Sequence, residues 1–372
     1  MKIGILTHPL MLNYGGILQN YALQTVLRDM GHDVYTINRQ PVFDYKISIR
    51  SIGGFLNRFI KDLHQHKVTR WNPNIPYTEE EYRTASVDIN SFIDKYIIRT
   101  RPVRDLDLYS IDNEYRFDCY VVGSDQVWVP GCCPLSFIPF THRNNVRKIT
   151  YAASAGNVSW MDIDYLRTRC VELSNDFSSL SVREDYLKDK AEMVLGRNIK
   201  VVLDPTMLLQ ADSYKSLIAY DNILRDNVFS YVLDPTREKT MIISQLGAFL
   251  DLPIVSGFTI DTTKRITRNL PGVDDWLSRV MSSRFVITDS FHGCVFSILF
   301  KKQFAVLINE KRGADRFNTL LSKFNLMDRV ISTSNDISKC INSVIDYKCI
   351  DAIIKTEREE SLLFLNDALI SK

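Results

Sequence analysis

The sequence has little of what marks metal-binding, secreted or membrane-spanning proteins. Its seven cysteines include no CxxC pair and no histidine partner at metal-ligand spacing, so we interpret them as free thiols. No run approaches the roughly 18 apolar residues that cross a bilayer, and the first ten residues resemble a short strand rather than a signal peptide. These features predict a cytoplasmic protein with no metal site and no cofactor.

The chain also lacks a strong imbalance of charge. It carries 46 Lys and Arg against 44 Asp and Glu, a formal net charge of +2. Nucleic-acid-binding proteins usually show a basic excess, so the overall balance gives no sign of that function. With 372 residues and 45% hydrophobic content, the chain is long enough for two domains of about 150 to 200 residues each.

Short β-branched runs alternate with helical patterns through most of the sequence, which is typical of an α/β protein with parallel sheets. Two successive series predict two Rossmann-like domains, residues 1–206 and 207–345, with the junction near Pro205 because a proline ends the strand there. Residues 346–372 are predicted to form a C-terminal helix that packs near the junction. The predicted strands are 2–7, 34–38, 119–122, 149–153, 180–183, 200–203, 228–233, 253–256, 285–288 and 304–308.

Residues 45–114 interrupt this alternation as an insertion. Apolar residues recur at helical spacing between Ile49 and Leu63, and six basic side chains between Lys46 and Arg70 face a single acid, Asp62. One interpretation is a helix packed on the first domain with a solvated basic face. The other is a peripheral contact with an anionic membrane.

A glycine-containing turn follows the first predicted strand. Asn13, Gly15 and Gly16 lie between that strand and a helix, where glycines let backbone amides approach a ligand. The stretch is not GxGxxG and lacks a P-loop lysine, so it gives poor support to dinucleotide or nucleoside triphosphate binding. A tight βα turn with no ligand explains it equally well.

Short polar residues follow the next two long strands. Ser124 and Asp125 end one strand, and Ser154 lies in a stretch of small residues after the other. Asp125 is interpreted either as a cap of the following segment or as a ligand of a sugar hydroxyl, with Trp128 as a stacking surface.

A charged pair comes directly after the fifth predicted strand. An arginine at such a position is costly unless it is paired or binds an anion. Arg183 is therefore interpreted either as the partner of Glu184 or Asp204, or as a group that binds a phosphate or carboxylate.

The stretch ITDSFHGCVF joins a buried strand to an apolar helix that is predicted to begin at Cys294. Asp289, Ser290, His292 and Gly293 then fall in the intervening turn, where a parallel sheet presents its ligand site. A lone histidine is usually structural, but one beside an acid and a hydroxyl in such a turn favours acid–base catalysis. His8, at the end of the first strand, is the next candidate.

Six ordered motifs together resemble the polysaccharide pyruvyl transferase family. The resemblance implies a fold similar to GT-B glycosyltransferases, with two Rossmann-like domains that face a cleft. It also implies phosphoenolpyruvate as donor and a sugar as acceptor, which receives a pyruvate ketal on two hydroxyls during bacterial surface polysaccharide biosynthesis. The motifs are NYGGILQNYALQ (13–24), VGSDQVW (122–128), YAAS (151–154), SVRE (181–184), LDPT (203–206) and DSFHG (289–293).

The resemblance assigns roles to several residues. Arg183 matches the family arginine that binds the donor, and His292 matches the family histidine that can supply the proton. Asp289 or Asp125 would orient that histidine or take the proton of the acceptor hydroxyl. The substrate-binding set is completed by small and polar residues at the strand ends, namely Asn13, Gly15, Gly16, Ser124, Ser154, Ser290 and Gly293.

One position departs from the family pattern. Some relatives carry an arginine where this chain has Ser290, so the donor would be held by fewer guanidinium groups, or by another residue such as Arg312 or Arg316. A nucleotide-sugar glycosyltransferase of the same architecture is the alternative function, and a non-catalytic sugar-binding protein is a third. The acceptor sugar, and whether it is linked to a lipid, stay open.

Overall fold

The computed structural model describes residues 1–41, 43, 77–156, 159–218, 226–257, 265–309 and 313–370. The basic helix predicted between Lys46 and Arg70 lies outside the described residues, and so does Arg312. Both therefore stay predictions.

The first sheet contains six parallel strands. They are β1 (Lys2–Leu6), β2 (Asp33–Thr36), β3 (Cys119–Asp125), β4 (Arg147–Ala153), β5 (Ser181–Val182) and β6 (Lys200–Val201). Their order is β2-β1-β3-β4-β5-β6. The central strand β3 is buried along its whole length, as expected for a parallel strand covered on both faces.

The second sheet contains four parallel strands. They are β7 (Val228–Tyr231), β8 (Ile254–Ser256), β9 (Phe285–Thr288) and β10 (Gln303–Val306), in the order β10-β9-β7-β8. All ten predicted strands are thus present, with ends that differ from the prediction by at most three residues.

Helices follow most strands. The first unit, which is built around the sheet of β1 to β6, contains six helices, and the second unit is built around β7 to β10. The helices of the first unit are α1 (Tyr14–Asp29), α2 (Glu79–Ala85), α3 (Val87–Tyr96), α4 (Leu108–Tyr115), α5 (Asp164–Ser174) and α6 (Asp185–Leu195). The rest of the chain contains α7 (Ala211–Lys215), α8 (Arg237–Leu250), α9 (Val273–Ser282), α10 (Phe291–Leu299), α11 (Asp315–Lys323), α12 (Asp336–Asn342) and α13 (Tyr347–Ile370). Within the described ranges, no helix combines the length and the apolar character that crossing a bilayer requires.

Helix α10 begins three residues before the predicted start at Cys294. The Oγ atom of Ser290 accepts a hydrogen bond from the backbone N–H of Gly293 at 3.3 Å, which caps the helix. His292 therefore lies in the first turn of α10 rather than in the turn before it. The prediction that placed it outside the helix is wrong.

The strand order of each sheet creates a crevice at its carboxyl edge. In the first sheet the chain leaves β1 for β2 on one side and returns to β3 on the other, and in the second sheet β8 and β9 flank β7 in the same way. Ligands of open α/β sheets bind at such reversals. The turns after β1, β3 and β9 are therefore favoured positions for a site.

The two sheets share one hydrophobic core. A single cluster of buried residues includes Leu18 of α1, Phe229 of β7 and Phe296 of α10. Helix α13 crosses back to the first sheet, where Ser361 Oγ accepts from Leu203 N at 3.0 Å and Arg358 Nε donates to Met207 O at 2.8 Å. The two units are therefore held together by packing as well as by chain connection.

Candidate active site

The carboxyl ends of the two sheets meet around three buried side chains. Arg183 follows β5, Asp204 follows β6, and His292 comes from α10 of the second unit. The Nη1 atom of Arg183 lies 2.6 Å from Asp204 Oδ2, and His292 Nε2 lies 3.5 Å from the same oxygen. Asp204 therefore links the arginine of the first unit to the histidine of the second.

Arg183 is paired, as one interpretation of the sequence expected. Besides Asp204, its Nε atom lies 3.4 Å from Glu184 Oε1, and its Nη2 atom lies 3.7 Å from Asp125 Oδ1. The guanidinium carbon is 4.2 Å from the centre of the Phe291 ring, at cation–π distance. Within the described part of the chain, Nη2 is buried without a hydrogen-bond acceptor. This edge of the guanidinium therefore makes an ion-pair contact with Asp125 but no hydrogen bond.

Asp204 was identified in the sequence only as a pairing partner, yet it is the centre of the cluster. Its Oδ1 atom accepts from the backbone N and the Oγ1 of Thr206, at 3.0 and 2.6 Å. Burial acts to raise the pKa of Asp204, but His292, Arg183 and Thr206 together hold it well below its ordinary value. Asp204 is therefore a carboxylate at neutral pH. Its position directly after the predicted strand 200–203, within LDPT, was the available signal.

His292 faces the turn after β1 across the cleft. A Cβ atom added to Gly15 would come within 2.1 Å of His292 Nδ1, so only glycine permits this approach. The ring packs edge-on against Phe291, with centroids 5.2 Å apart. Its Nε2 atom is buried and has no hydrogen-bond partner among the described residues. Two of the residues that the sequence analysis named as candidates, Gly15 and His292, therefore lie side by side.

Asn13 and Gly16 have local roles in that turn. The Asn13 side chain accepts from Gly16 N at 3.1 Å and caps α1. For Asn13, this contact agrees with the interpretation of the segment as a tight βα turn. Gly15 alone of the three contacts the histidine.

Asp125 lies beside Arg183 at the end of β3, with a left-handed φ of 71°. Burial raises its pKa, but Arg183, His292 and His8 lower it, and the net shift is downward. Asp125 is therefore ionised and faces both histidines electrostatically.

Two serines support neighbouring carboxylates. Ser124 Oγ donates to Ala152 O at 3.1 Å and lies 3.4 Å from Asp204 Oδ2. Ser154 Oγ donates to Glu184 Oε1 at 2.6 Å. Burial raises the pKa of Glu184, although Arg183 and Ser154 act in the opposite direction. Both serines were predicted as substrate ligands, but their hydroxyls are committed to the protein in this arrangement.

Asp289 does not orient His292, and that prediction is wrong. Its Oδ1 atom accepts from Leu233 N at 2.5 Å, and its Oδ2 atom accepts from Lys239 Nζ at 2.5 Å and Asn309 Nδ2 at 3.1 Å. These partners fix the loop after β7. The sequence pattern placed Asp289 near the histidine, but its carboxylate is bound by Leu233, Lys239 and Asn309.

Two further residues of this region have packing roles. A Cβ atom at Gly293 would come within 2.3 Å of Thr288 Oγ1, so packing requires glycine there. Trp128 is fully buried and stacks on Phe137 at 5.8 Å, so it is a core residue and no sugar platform.

A second guanidinium approaches the cluster from α11. The guanidinium carbon of Arg316 is 5.8 Å from the Phe291 ring centre, and the side chain is buried. Its charge lowers the pKa of Asp125 and opposes the upward shift at Glu184. Arg316 is one of the two residues that the sequence offered in place of an arginine at position 290.

A cavity of about 650 Å³ lies between the first unit and the end of β8, and Arg183, Asp204 and His292 do not line it. Tyr14 lines it, and the next residue is Gly15, which contacts His292. Its wall combines aromatic rings with both signs of charge, including Trp276, Asp88, Asp275, Arg268 and Arg279. Such a mixture suits a polar ligand with hydroxyl groups.

A family model for polysaccharide pyruvyl transferase matches residues 13–311. Curated proteins gave no match to the chain. The UDP-GlcNAc 2-epimerase from Methanocaldococcus jannaschii is similar in structure, with a TM-score of 0.53 and 14% identity over 96% of this chain and 99% of that chain.

Two further solved structures extend over 100% of both chains. The UDP-GlcNAc 2-epimerase from Neisseria meningitidis, bound to UDP-GlcNAc, has a TM-score of 0.53 and 11% identity. A mutant of TarM from S. aureus, in complex with Fondaparinux, alpha-GlcNAc-glycerol and UDP, has a TM-score of 0.54 and 12% identity.

These likenesses confirm the predicted fold class, two Rossmann-like domains that face a cleft in a GT-B-like arrangement. At such low identity they establish the fold alone. The family match covers most of the chain and includes all six motifs that carried the resemblance. The chain belongs to the polysaccharide pyruvyl transferase family.

Proposed function

We propose that the protein transfers a pyruvyl group from phosphoenolpyruvate to two hydroxyls of a sugar residue, forming a pyruvate ketal in a surface polysaccharide. The supporting observation is the pair of contacts that Asp204 makes with Arg183 and His292, which join the two units at the carboxyl edges of their sheets. The cluster thereby brings together a buried arginine that can bind an anion and a buried histidine that can act as an acid or base.

The donor chemistry needs one proton and one anion clamp. Protonation of the methylene carbon of phosphoenolpyruvate makes C2 electrophilic, and a sugar hydroxyl then attacks C2. Loss of phosphate follows, and a second hydroxyl closes the ketal. In this proposal His292 donates the proton, and Asp125 accepts the proton of the attacking hydroxyl.

The clamp would consist of two guanidinium groups. The Nη2 atom of Arg183 is paired with Asp125 at 3.7 Å but makes no hydrogen bond, so it can still donate one to an anion. Arg316 would replace the arginine that some relatives carry at position 290. Both flank Phe291, which fixes the plane of Arg183.

The cleft is closed around these groups. Arg183, Asp204 and His292 are all buried, so a donor can reach them only when the cleft between the two sheets opens. Closure would then return His292 to Asp204 and exclude water from the reacting centre.

The acceptor is assigned to the cavity beside Tyr14. Its volume suits a sugar with attached groups, and its arginines suit an acceptor that carries phosphate. A lipid-linked acceptor would be presented at a membrane, and membrane contact is one of the two interpretations of the basic segment between Lys46 and Arg70.

Calorimetry with phosphoenolpyruvate tests the donor assignment. Arg183→Lys keeps the charge among the carboxylates but loses the planar fork, so donor affinity should fall about tenfold or more. Arg143→Lys is the matched control, because Arg143 is also paired with a buried carboxylate, Asp112, outside the cleft. Its donor affinity should match that of the wild type.

A nucleotide-sugar glycosyltransferase is the competing function, because solved structures of this fold hold UDP-GlcNAc. Thermal shift separates the two, since only a ligand that binds the folded state raises Tm. We expect phosphoenolpyruvate to raise Tm. A rise with UDP-GlcNAc and none with phosphoenolpyruvate would overturn the proposal.

A further inference from the structure

A cysteine and a histidine form a close pair outside the Arg183–Asp204–His292 cluster. Cys132 ends a 3₁₀ turn, Pro130–Cys132, and its Sγ atom lies 3.6 Å from Nδ1 of His8. His8 follows β1 at the carboxyl edge of the first sheet, and both residues are half-buried. Cys132 is therefore partly exposed to solvent.

Charged groups around the pair favour proton transfer from sulfur to nitrogen. Asp125 acts on His8 from the end of β3. Arg39 faces both members of the pair, but its guanidinium is bound by Asp105 through two 2.7 Å hydrogen bonds and donates to Thr7 O. The positive charge of Arg39 is thus largely compensated.

The two titrations shift in opposite directions for a common reason. Burial lowers the pKa of His8, but Cys132 and Asp125 raise it, to about 9. Burial raises the pKa of the Cys132 thiol, yet His8 and Arg39 lower it, and the net shift is downward. Each member stabilises the charged form of the other.

Five other cysteines have a raised thiol pKa. Burial raises the pKa of Cys119 to about 12 and of Cys340 to about 11, and it also raises that of Cys294. Cys133 is raised mainly by Cys170, and the exposed Cys349 is raised by Asp346. Accessibility and a favourable charge environment coincide at Cys132.

We propose that Cys132 and His8 form a thiolate–imidazolium pair that makes Cys132 the preferred site of modification by hydroperoxides and soft electrophiles. In the peroxide reaction the thiolate attacks one peroxide oxygen, so an S–O bond forms and the O–O bond breaks. The sulfur is oxidised by two electrons to a sulfenic acid, and the peroxide is reduced. The leaving alkoxide or hydroxide takes the proton of His8.

The modification would change the charges that surround Asp125 in the candidate active site. Oxidation removes the charge of both members, because His8 gives up its proton. Asp125 then loses one of the cations that hold its carboxylate ionised. The pair is thereby an oxidation-sensitive element beside the cleft.

Alkylation measures the thiolate directly. Near neutral pH the pair only moves a proton from sulfur to nitrogen, so the number of bound protons barely changes and stability–pH curves are insensitive to it. At about pH 6.5 an ordinary thiol of pKa about 8.5 is only about 1% thiolate. The reduced full-length protein should therefore be labelled by limiting iodoacetamide mainly at Cys132, as located by peptide mass spectrometry.

The pH profile and two variants complete the test. The alkylation rate of Cys132 should stay nearly level from about pH 6.5 to about 8, and a dimedone-type trap should label Cys132 after peroxide treatment. His8→Gln should slow alkylation by about tenfold, whereas His142→Gln, at an exposed histidine, should not. A rate that rises with a midpoint near 8.5 in the wild type, or labelling that begins at Cys349, would overturn the proposal. Neither result depends on the donor assignment.

Discussion

At the scale of single residues, the candidate active site holds several buried charged groups that neutralise one another. Asp125, Glu184 and Asp204 surround Arg183, and the removal of one partner would leave an uncompensated buried ion. His292 Nε2 lies 3.5 Å from Asp204 Oδ2 but makes no hydrogen bond within the described ranges. A buried polar atom that is left unsatisfied costs free energy and points to a use in binding or catalysis.

His292→Asn should therefore reduce turnover more than stability. General acid–base help is typically worth about 10²- to 10⁴-fold in rate, so turnover should fall on that scale while Tm and donor binding stay near the wild-type values. Steady-state kinetics and thermal unfolding measure the two effects. His142→Asn, on the surface, is the control. A variant that unfolds would instead identify His292 as a structural core residue.

Gly15→Ala tests the closed arrangement of the cleft. The added Cβ would lie 2.1 Å from His292 Nδ1, so the histidine could not keep its place beside Asp204. Alanine otherwise favours a helix more than glycine by about 1 kcal/mol, so a loss cannot come from helix propensity. We expect lower turnover and lower Tm. Gly131→Ala, where the added Cβ meets no atom within 4 Å, should leave both unchanged.

At the scale of elements, the sequence predicted all ten strands because a parallel strand buried on both faces is a short continuous apolar run. The start of α10 was predicted too late for a related reason. The apolar run from Cys294 identifies the helix interior, whereas the start of the helix is set by the cap at Ser290. Because Ser290 stands among other polar residues, its sequence position alone did not identify it as the cap.

The partners of Asp289 and Trp128 could not be read locally. Asp289 is bound by Lys239, which lies 50 positions away in the chain, and Trp128 is covered by Phe137 and Trp160. Residue type and spacing placed these side chains at strand ends. They did not determine which way each side chain points, which is set by contacts that form only in the folded chain.

Ser290→Ala should destabilise the protein through α10. Loss of an N-cap oxygen costs about 0.5 to 2 kcal/mol of unfolding free energy. Ser290→Asn supplies another good capping oxygen and should recover most of that loss, as measured by chemical denaturation. If Ser290→Ala keeps its stability but weakens phosphoenolpyruvate binding, the hydroxyl serves the donor rather than the helix.

At the scale of the whole molecule, the two sheets are not independent bodies. The hydrophobic cluster that joins them includes residues of α1, β7, α10 and α13. Each sheet therefore buries part of its apolar surface against residues of the other unit. A GT-B-like cleft must nevertheless open for substrate to reach the buried groups. Opening is therefore expected to be a rearrangement around a shared core rather than a separation of two complete domains.

Leu365→Ala tests whether α13 ties both units into one cooperative structure. Leu365 is 0% exposed and belongs to the shared cluster, whereas Leu363, two residues earlier on the same helix, is 60% exposed. Removal of a buried leucine side chain typically costs about 2 to 5 kcal/mol, and an exposed one costs little. Leu365→Ala should lower the unfolding free energy by that amount and keep a single transition, with tryptophan fluorescence and far-UV circular dichroism coincident. Leu363→Ala should match the wild type. Two separated transitions in Leu365→Ala would show that the units unfold independently and that the shared core does not couple them.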